Sequence, residues 1–429
     1  MKQLIKDIIL ENQHMVFPEM VDRETEIPLD LKVIVSLVGP RRSGKSWLLY
    51  RAIRQLKARG MPVSHILFLN FEDERLPLQS GDLDLIIQSY NELFPDIRME
   101  DVWIFFDEIQ NVPGWELFVR RLFDTRSRHL FITGSNARLL STEIATALRG
   151  RTITLTVYPF SYGEYLNALG VSTSAKTQKA RSTLIHYTAQ FMYHGGFPET
   201  IGIDDHYRIR ILQEYFNVMI FRDIVERYQV TNIDTLRFFI RKIFAGVSKP
   251  FSVNKAYNDL KSMGYKISNK YLYEYLRYCN DVFLCQSVSG YNHSEIKQAK
   301  SEKKAYIIDS GLLGAIQFSV SKDHGKLFEN MVYMELLKQA YTPMYFKGRY
   351  ECDFMVGGVV GMQALQATWS MTDGTTRDRE FRGLKEACDY LGISHGIIIT
   401  PDLRETIQYQ GLTIEVFPFY ELALKGLEV

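Results

Sequence analysis

Eight residues, GPRRSGKS at 39–46, carry the first recognisable chemistry of this 429-residue sequence. Gly39 and Gly44 leave room for backbone N–H groups to face phosphate oxygens, at the start of a helix whose dipole adds positive potential. Lys45 then supplies a point charge for β- and γ-phosphates, and the Ser46 hydroxyl supplies a Mg²⁺ position. The candidate ATP-binding segment is therefore Gly39, Pro40, Arg41, Arg42, Ser43, Gly44, Lys45 and Ser46, with Trp47 after it.

A second segment, VWIFFDEIQNV at 102–112, ends an apolar run in two acids. Asp107 suits the Mg²⁺ shell alongside Ser46, and Glu108 could orient and deprotonate an attacking water. HLFITGSNARLL ends in Ser135 and Asn136, polar groups able to sense a γ-phosphate, and HILFLNFEDERL brings Glu72 and Asp73 to the same edge. Positioning these residues requires buried strands that each end at one rim of a parallel sheet, where open α/β sheets bind ligands. LKVIVSLV before the glycine loop reads as such a strand and SWLLYRAIRQLKARG after it as a helix. The fold class is α/β, a P-loop parallel sheet followed by further modules.

GPRRSGKS, NFEDERL, FFDEIQNVPGWE, ITGSNARLLSTEIATALRGR, VYPFSYGEYL and YHGGFPET, in that order, resemble the prokaryotic AAA-type ATPases with a C-terminal domain of unknown function. The resemblance spans nearly the whole chain. It implies an AAA-like core with a helical lid, assembly into a homo-oligomer, and an arginine supplied to a neighbouring site, by position Arg149 or Arg151 in LRGR. GGFPE at 195–199 resembles the lid motif that closes on the base, which adds Pro198 to the candidate nucleotide contacts.

Composition restricts the classes of partner. Lys and Arg number 51 against 50 acids, so a nucleic-acid surface must be local rather than global. Four cysteines (Cys279, Cys285, Cys352, Cys388) lack metal-ligand spacing and read as reduced core thiols. No apolar run approaches a membrane span, and MKQLIKDIILENQHM reads as an amphipathic helix; the expectation is a soluble cytoplasmic protein.

The chain divides into an AAA-like core at 1–165, a helical lid at 166–245, a winged-helix module at 246–292 and a nuclease-like α/β domain at 293–429. In the third segment Ser252 and Ser268 are placed to cap two helices separated by Gly264, and an apolar strand follows. Asn269, Lys270, Tyr273 and Arg277 on the second helix could touch DNA, although Glu274 lies among them; DNA binding and a purely structural module both remain open.

The last segment offers Glu329 on a helix and Asp353 on a strand after a hairpin, an order that resembles restriction-endonuclease-like folds. The next strand carries Gln366 and Thr368 where such a site needs Glu and Lys, and Lys347 is the only nearby substitute. A neutral amide and a hydroxyl cannot both clamp Mg²⁺ and activate water, so the expectation is an inactive relic, with an unconventional nuclease and an unrelated α/β module as alternatives. Arg377, Arg379 and Arg382 on the helix that follows form a basic face. The leading functional expectation is an ATPase that switches or remodels a macromolecular partner, with DNA a candidate. The alternatives are a nucleotide-gated DNA-binding regulator with slow hydrolysis and, third, an ATP-regulated nuclease.

Overall fold

The computed structural model describes residues 1–17, 19–136, 148, 150–316, 323–358, 361–372 and 374–427, in two compact units, Met1–Tyr158 and Pro159–Val429. The first unit runs α1 (Lys2–Gln13), β1 (Ile34–Val38), α2 (Lys45–Ala58), β2 (Ile66–Asn70), α3 (Leu83–Leu93), β3 (Trp103–Asp107), α4 (Trp115–Thr125), β4 (His129–Gly134) and β5 (Thr152–Thr156). Its strands form one parallel sheet in the order β2-β3-β4-β1-β5. β1 and β3 are buried along their whole length, which is why IVSLV and WIFFD are near-continuous apolar runs rather than alternating ones. Leu48, Leu49, Ala52, Ile53 and Leu56 of α2 pack on Val35, Leu37, Phe105 and Phe131 of the sheet, so the helix behind the phosphate loop is anchored by the core.

The second unit begins with helices α5 (Tyr162–Ala168), α6 (Gln178–His194) and α7 (Asp205–Val218), then a π-helical stretch Met219–Glu226, then α8 (Ile233–Ala245). There follow β6 (Pro250–Phe251), α9 (Val253–Ser262), α10 (Asn269–Asp281), β7 (Cys285–Ser289), α11 (Glu295–Lys300) and β8 (Lys303–Ile307). β6, β8 and β7 make a small antiparallel sheet. Ser252 caps α9 through the Lys255 N–H, whereas Ser268 occupies the cap position of α10 without making a side-chain capping bond.

The remainder is α12 (Ser310–Ile316), α13 (His324–Lys338), β9 (Met344–Lys347), β10 (Glu351–Gly358), β11 (Gly361–Ala367), α14 (Gly374–Leu391), β12 (His395–Thr400), β13 (Glu405–Tyr409), β14 (Leu412–Pro418) and α15 (Phe419–Lys425). These strands form a mixed sheet ordered β13-β14-β12-β11-β10-β9. The β9–β10 register breaks between Cys352 and Met355, so Asp353 lies within the irregularity. The four cysteines are free and buried. No helix among the described residues is long and apolar enough to cross a membrane.

The GGFPE glycines have a packing explanation inside the second unit. Gly195 adopts φ +72° against the Asp309 carboxylate, and the Gly196 N–H donates to Asp309 Oδ2 at 2.7 Å. A Cβ on Gly196 would lie 2.3 Å from the Phe160 carbonyl oxygen, a backbone atom that cannot turn aside. Gly196→Ala is therefore expected to destabilise this unit by roughly 1–3 kcal/mol, as overpacking does, read as a lower urea midpoint; an unchanged midpoint would refute the tight approach.

Candidate functional site

The glycine loop joins β1 to α2, and its backbone is shaped for an anion. Gly44 has φ +96°, left-handed geometry that a glycine adopts without cost, and Arg42 is held at φ +63°. Gly39 is required for another reason: a Cβ there would lie 2.1 Å from the Val157 carbonyl oxygen. The cap position of α2 is Gly44, which has no side chain to bond the first N–H groups of the helix, an arrangement suited to an anion.

Lys45 is buried, with Nζ 3.2 Å from the Gly39 carbonyl, 3.0 Å from that of Pro40 and 3.3 Å from Glu108 Oε1. Glu108 also accepts from the Ser135 N–H at 3.2 Å and from the Gln110 side-chain amide. Its backbone sits at φ +52°, left-handed geometry that is uncommon for a residue with a Cβ. Thr133 of β4 joins the two acids: its hydroxyl accepts the Glu108 N–H at 2.8 Å and donates to Asp107 Oδ1. The Ser46 hydroxyl is also hydrogen-bonded to Asp107.

Burial, with Glu108 adjacent, pushes the Asp107 carboxyl up to about 6, against the pull of Thr133, Ser46 and Lys45. Burial acts upward on Glu108 as well, but Lys45, Gln110 and Arg41 together hold it below the usual carboxylate range. Neighbouring carboxylates thus have different proton affinities because one has the closer cation.

The sequence-derived residues of the first unit converge accordingly. Gly39, Pro40, Lys45, Ser46, Asp107, Glu108 and Ser135 are joined by direct contacts. Asn136, the residue after Ser135, is buried. Arg41 pairs with Glu72 at 2.7 Å, so both belong to the loop's electrostatic surroundings. Trp47 is 40% exposed, edge-on to Tyr50. Arg151 forms an ion pair with Asp124 of its own chain. Arg149 lies outside the described residues, and Pro198 is in the second unit, in the turn Pro198–Thr200.

Thr133, Gln110 and Arg23 were not signalled by motif reading. Arg23 clamps the loop from a patternless stretch, donating to the carbonyls of Ser43 at 2.7 Å and Tyr158 at 2.8 Å. Thr133 had a findable signature: a polar residue interrupting a buried strand beside the acidic pair.

These residues fit a nucleotide with its divalent cation. The Ser43 and Ser135 hydroxyls are buried at 0% and 1% exposure without a hydrogen-bond partner among the described residues, an arrangement a phosphate oxygen would satisfy. Ser46 and Asp107, already adjacent, are the oxygen donors suited to Mg²⁺, which would supply polarisation of the phosphate.

In the second unit Glu329, Asp353 and Gln366 do come together, but Lys347 does not join them. It is exposed and pairs with Glu302 at 3.1 Å, because β9 directs it away from the cluster. The expectation that Lys347 is the available lysine is corrected: Lys304 of β8, absent from the sequence reading, is the ammonium at Glu329 and Asp353. Thr368 turns to the Ser370 carbonyl. Among the described residues no group of three or more His, Cys, Asp or Glu is arranged to hold a metal ion.

A family profile described as "AAA domain" matches residues 32–166, and one described as a "Domain of unknown function (DUF8612)" matches 185–323. An uncharacterized protein of Methanocaldococcus jannaschii is 30% identical, over 99% of this chain and 96% of its own length. One from Haemophilus influenzae is 30% identical over 73% of this chain and 76% of its own. Among solved structures, Cdc6p from Pyrobaculum aerophilum aligns with a TM-score of 0.26 at 14% identity, covering 67% of this chain and 86% of that one. PCH-2 of C. elegans aligns at 0.23 and 14%, covering 45% and 47%. At such scores the fold rests on the sheet order and the profile matches.

The raised Asp107 carboxyl has a consequence for stability. Its folded value, about 6, lies above that of an unfolded aspartate, so the folded state favours the protonated form. The contribution is most favourable below about pH 4 and is lost as pH rises through 6, a change on the order of 2–3 kcal/mol. Asp107→Asn should therefore raise the urea midpoint of the nucleotide-free protein at pH 7.5, with the advantage shrinking below pH 5. A lower midpoint for the variant at pH 7.5 would contradict this.

Proposed function

We propose, for a chain that belongs to the AAA-domain family represented by its Methanocaldococcus jannaschii relative, that it hydrolyses ATP and uses the cycle to switch a macromolecular partner. The observation that carries this reading is the contact of Lys45 with Glu108, beside an Asp107 already joined to Ser46, at one end of the parallel sheet. Lys45 is poised to exchange its carbonyl partners for phosphate oxygens, and Glu108, released from it, to accept the proton of the attacking water. Ser135 and Asn136 serve as γ-phosphate sensors. In an oligomer Arg149 or Arg151 would act on a neighbouring site, and Pro198 would belong to the lid at 166–245.

Lys45→Ala should abolish micromolar ATP binding. Glu108→Gln should bind ATP normally and turn it over at least about tenfold more slowly, since an amide cannot take the proton. Phosphate release by Glu108→Gln at the wild-type rate would move the base elsewhere.

DNA is the partner that the α9–α10 surface fits best. Lys255, Lys261, Lys266, Lys270 and Arg277 are exposed there, with Tyr271 and Tyr273 about half exposed between them. The acids on these helices, Asp259, Glu274 and Asp281, are only partly exposed; Asp259 pairs with Lys242, and Asp281 accepts from the Tyr228 hydroxyl at 2.9 Å. Such a face suits phosphate contacts more than base reading. Duplex DNA should stimulate ATP turnover, and Lys266→Ala/Lys270→Ala should weaken binding similarly across sequences, with the log–log salt slope reduced by about 2. Turnover indifferent to DNA, with no binding, would point to a protein partner.

One observation favours a second reading. Glu108 is held by Lys45, Ser135 and Gln110 at once, so slow hydrolysis with ATP binding as the output is the alternative. DNA-bound protein whose dissociation follows nucleotide occupancy, in Glu108→Gln as in wild type, would select it.

A further inference from the structure

Lys304 is wholly buried, an uncommon place for an ammonium unless it is paired. Its Nζ lies 2.7 Å from Glu351 Oε1, 3.2 Å from Glu329 Oε1 and 3.7 Å from Asp353 Oδ1. Three elements supply these carboxylates and the lysine: α13 gives Glu329, β10 gives Glu351 and Asp353, and β8 gives Lys304. The Tyr345 ring lies on another side, 5.4 Å from Nζ.

The oxygens around this ammonium are already oriented. Tyr306 donates to Glu329 at 2.8 Å, and the Ala367 N–H donates to Asp353 Oδ2 at 3.1 Å. Gln366, where a further acid would be needed to clamp a metal, is engaged as a neutral bridge. It accepts the Asp353 N–H at 2.6 Å and donates to Glu380 Oε2 at 2.7 Å, while Arg379 pairs with Glu380.

We propose that the Lys304 ammonium is the resident cation of this carboxylate cluster, filling the place a divalent ion would need. An ammonium and a divalent ion compete for the same oxygens, and a lysine carried on a central strand of its sheet is present at unit effective occupancy. The cluster therefore holds β8, α13 and β10 together without metal and performs no metal-dependent cleavage. With the ammonium in place these acids are not arranged to hold a metal ion; the proposal implies that, once it is removed, Glu329, Glu351 and Asp353 can close on a hard divalent cation in its stead.

The test uses the full chain, nucleotide-free, with Mn²⁺ as the probe in both calorimetry and thermal melting. Wild type should show no Mn²⁺ uptake that Asp353→Asn removes, and no Mn²⁺-dependent cleavage of plasmid or single-stranded DNA. Lys304→Ala should melt lower and regain about 2–5 °C with saturating Mn²⁺, a gain absent from Lys304→Ala/Asp353→Asn. Lys304→Gln, which can still hydrogen-bond the carboxylates, carries the same comparison if the alanine variant does not fold. Asp353-dependent Mn²⁺ binding or cleavage by wild type overturns the proposal and makes Lys304 a partner of a working metal site. A folded Lys304 variant that gains no Mn²⁺ response overturns it equally, since the carboxylates would then not form a cation site.

Discussion

Two consecutive carboxylates buried at the end of one strand are the constraint around which the first unit is arranged. Left alone, Asp107 and Glu108 would repel each other and neither could shed its desolvation cost. The chain answers by separating them. The backbone at Glu108 is left-handed, at a cost of roughly 1–2 kcal/mol for a residue with a Cβ; one acid meets Lys45 and the other the hydroxyls of Thr133 and Ser46. That division requires β3 and β4 to be adjacent and parallel, and α2 to begin beside them, which is what the strand order supplies. The strain and the unequal proton affinities are stored where a charged ligand would release them.

Much of this end of the sheet was legible in the sequence because its chemistry is local. GPRRSGKS and the Asp-Glu pair each occupy a few consecutive residues, and their flanking apolar runs announce buried strands. What escaped notice acts across the chain. Arg23 reaches a carbonyl 20 residues on and another 135 residues on, with no pattern around it. Thr133 matters only because β4 is laid beside β3, and linear order does not tell which strands are neighbours.

The second unit shows the same limit more sharply. Glu329 on a helix and Asp353 on a strand stood out through an order that resembles restriction-endonuclease-like folds, but their cation is contributed from β8 and so belongs to a different stretch of sequence. A search along adjacent strands finds Lys347, whose side chain leaves the cluster for Glu302. Gly195 and Gly196 are similar: they read as a turn, yet what forbids a side chain there is Asp309, more than a hundred residues away, together with the Phe160 backbone. The four buried cysteines, by contrast, needed no long-range information, since apolar surroundings and the lack of ligand spacing were visible directly.

Trp47 gives the phosphate loop an optical property of its own. It follows Ser46 directly and is 40% exposed, whereas Trp103 and Trp115, the other two indoles of this unit, are 7% and 3% exposed. An indole in water emits at longer wavelength than one in a core, so the red side of this unit's fluorescence belongs to the residue next to the loop. Anything that dries or repacks that indole moves a part of the spectrum to which the buried pair contributes little, and with Trp369, the partly exposed indole of the second unit, replaced by Phe, the protein would report the state of its phosphate loop without an attached dye.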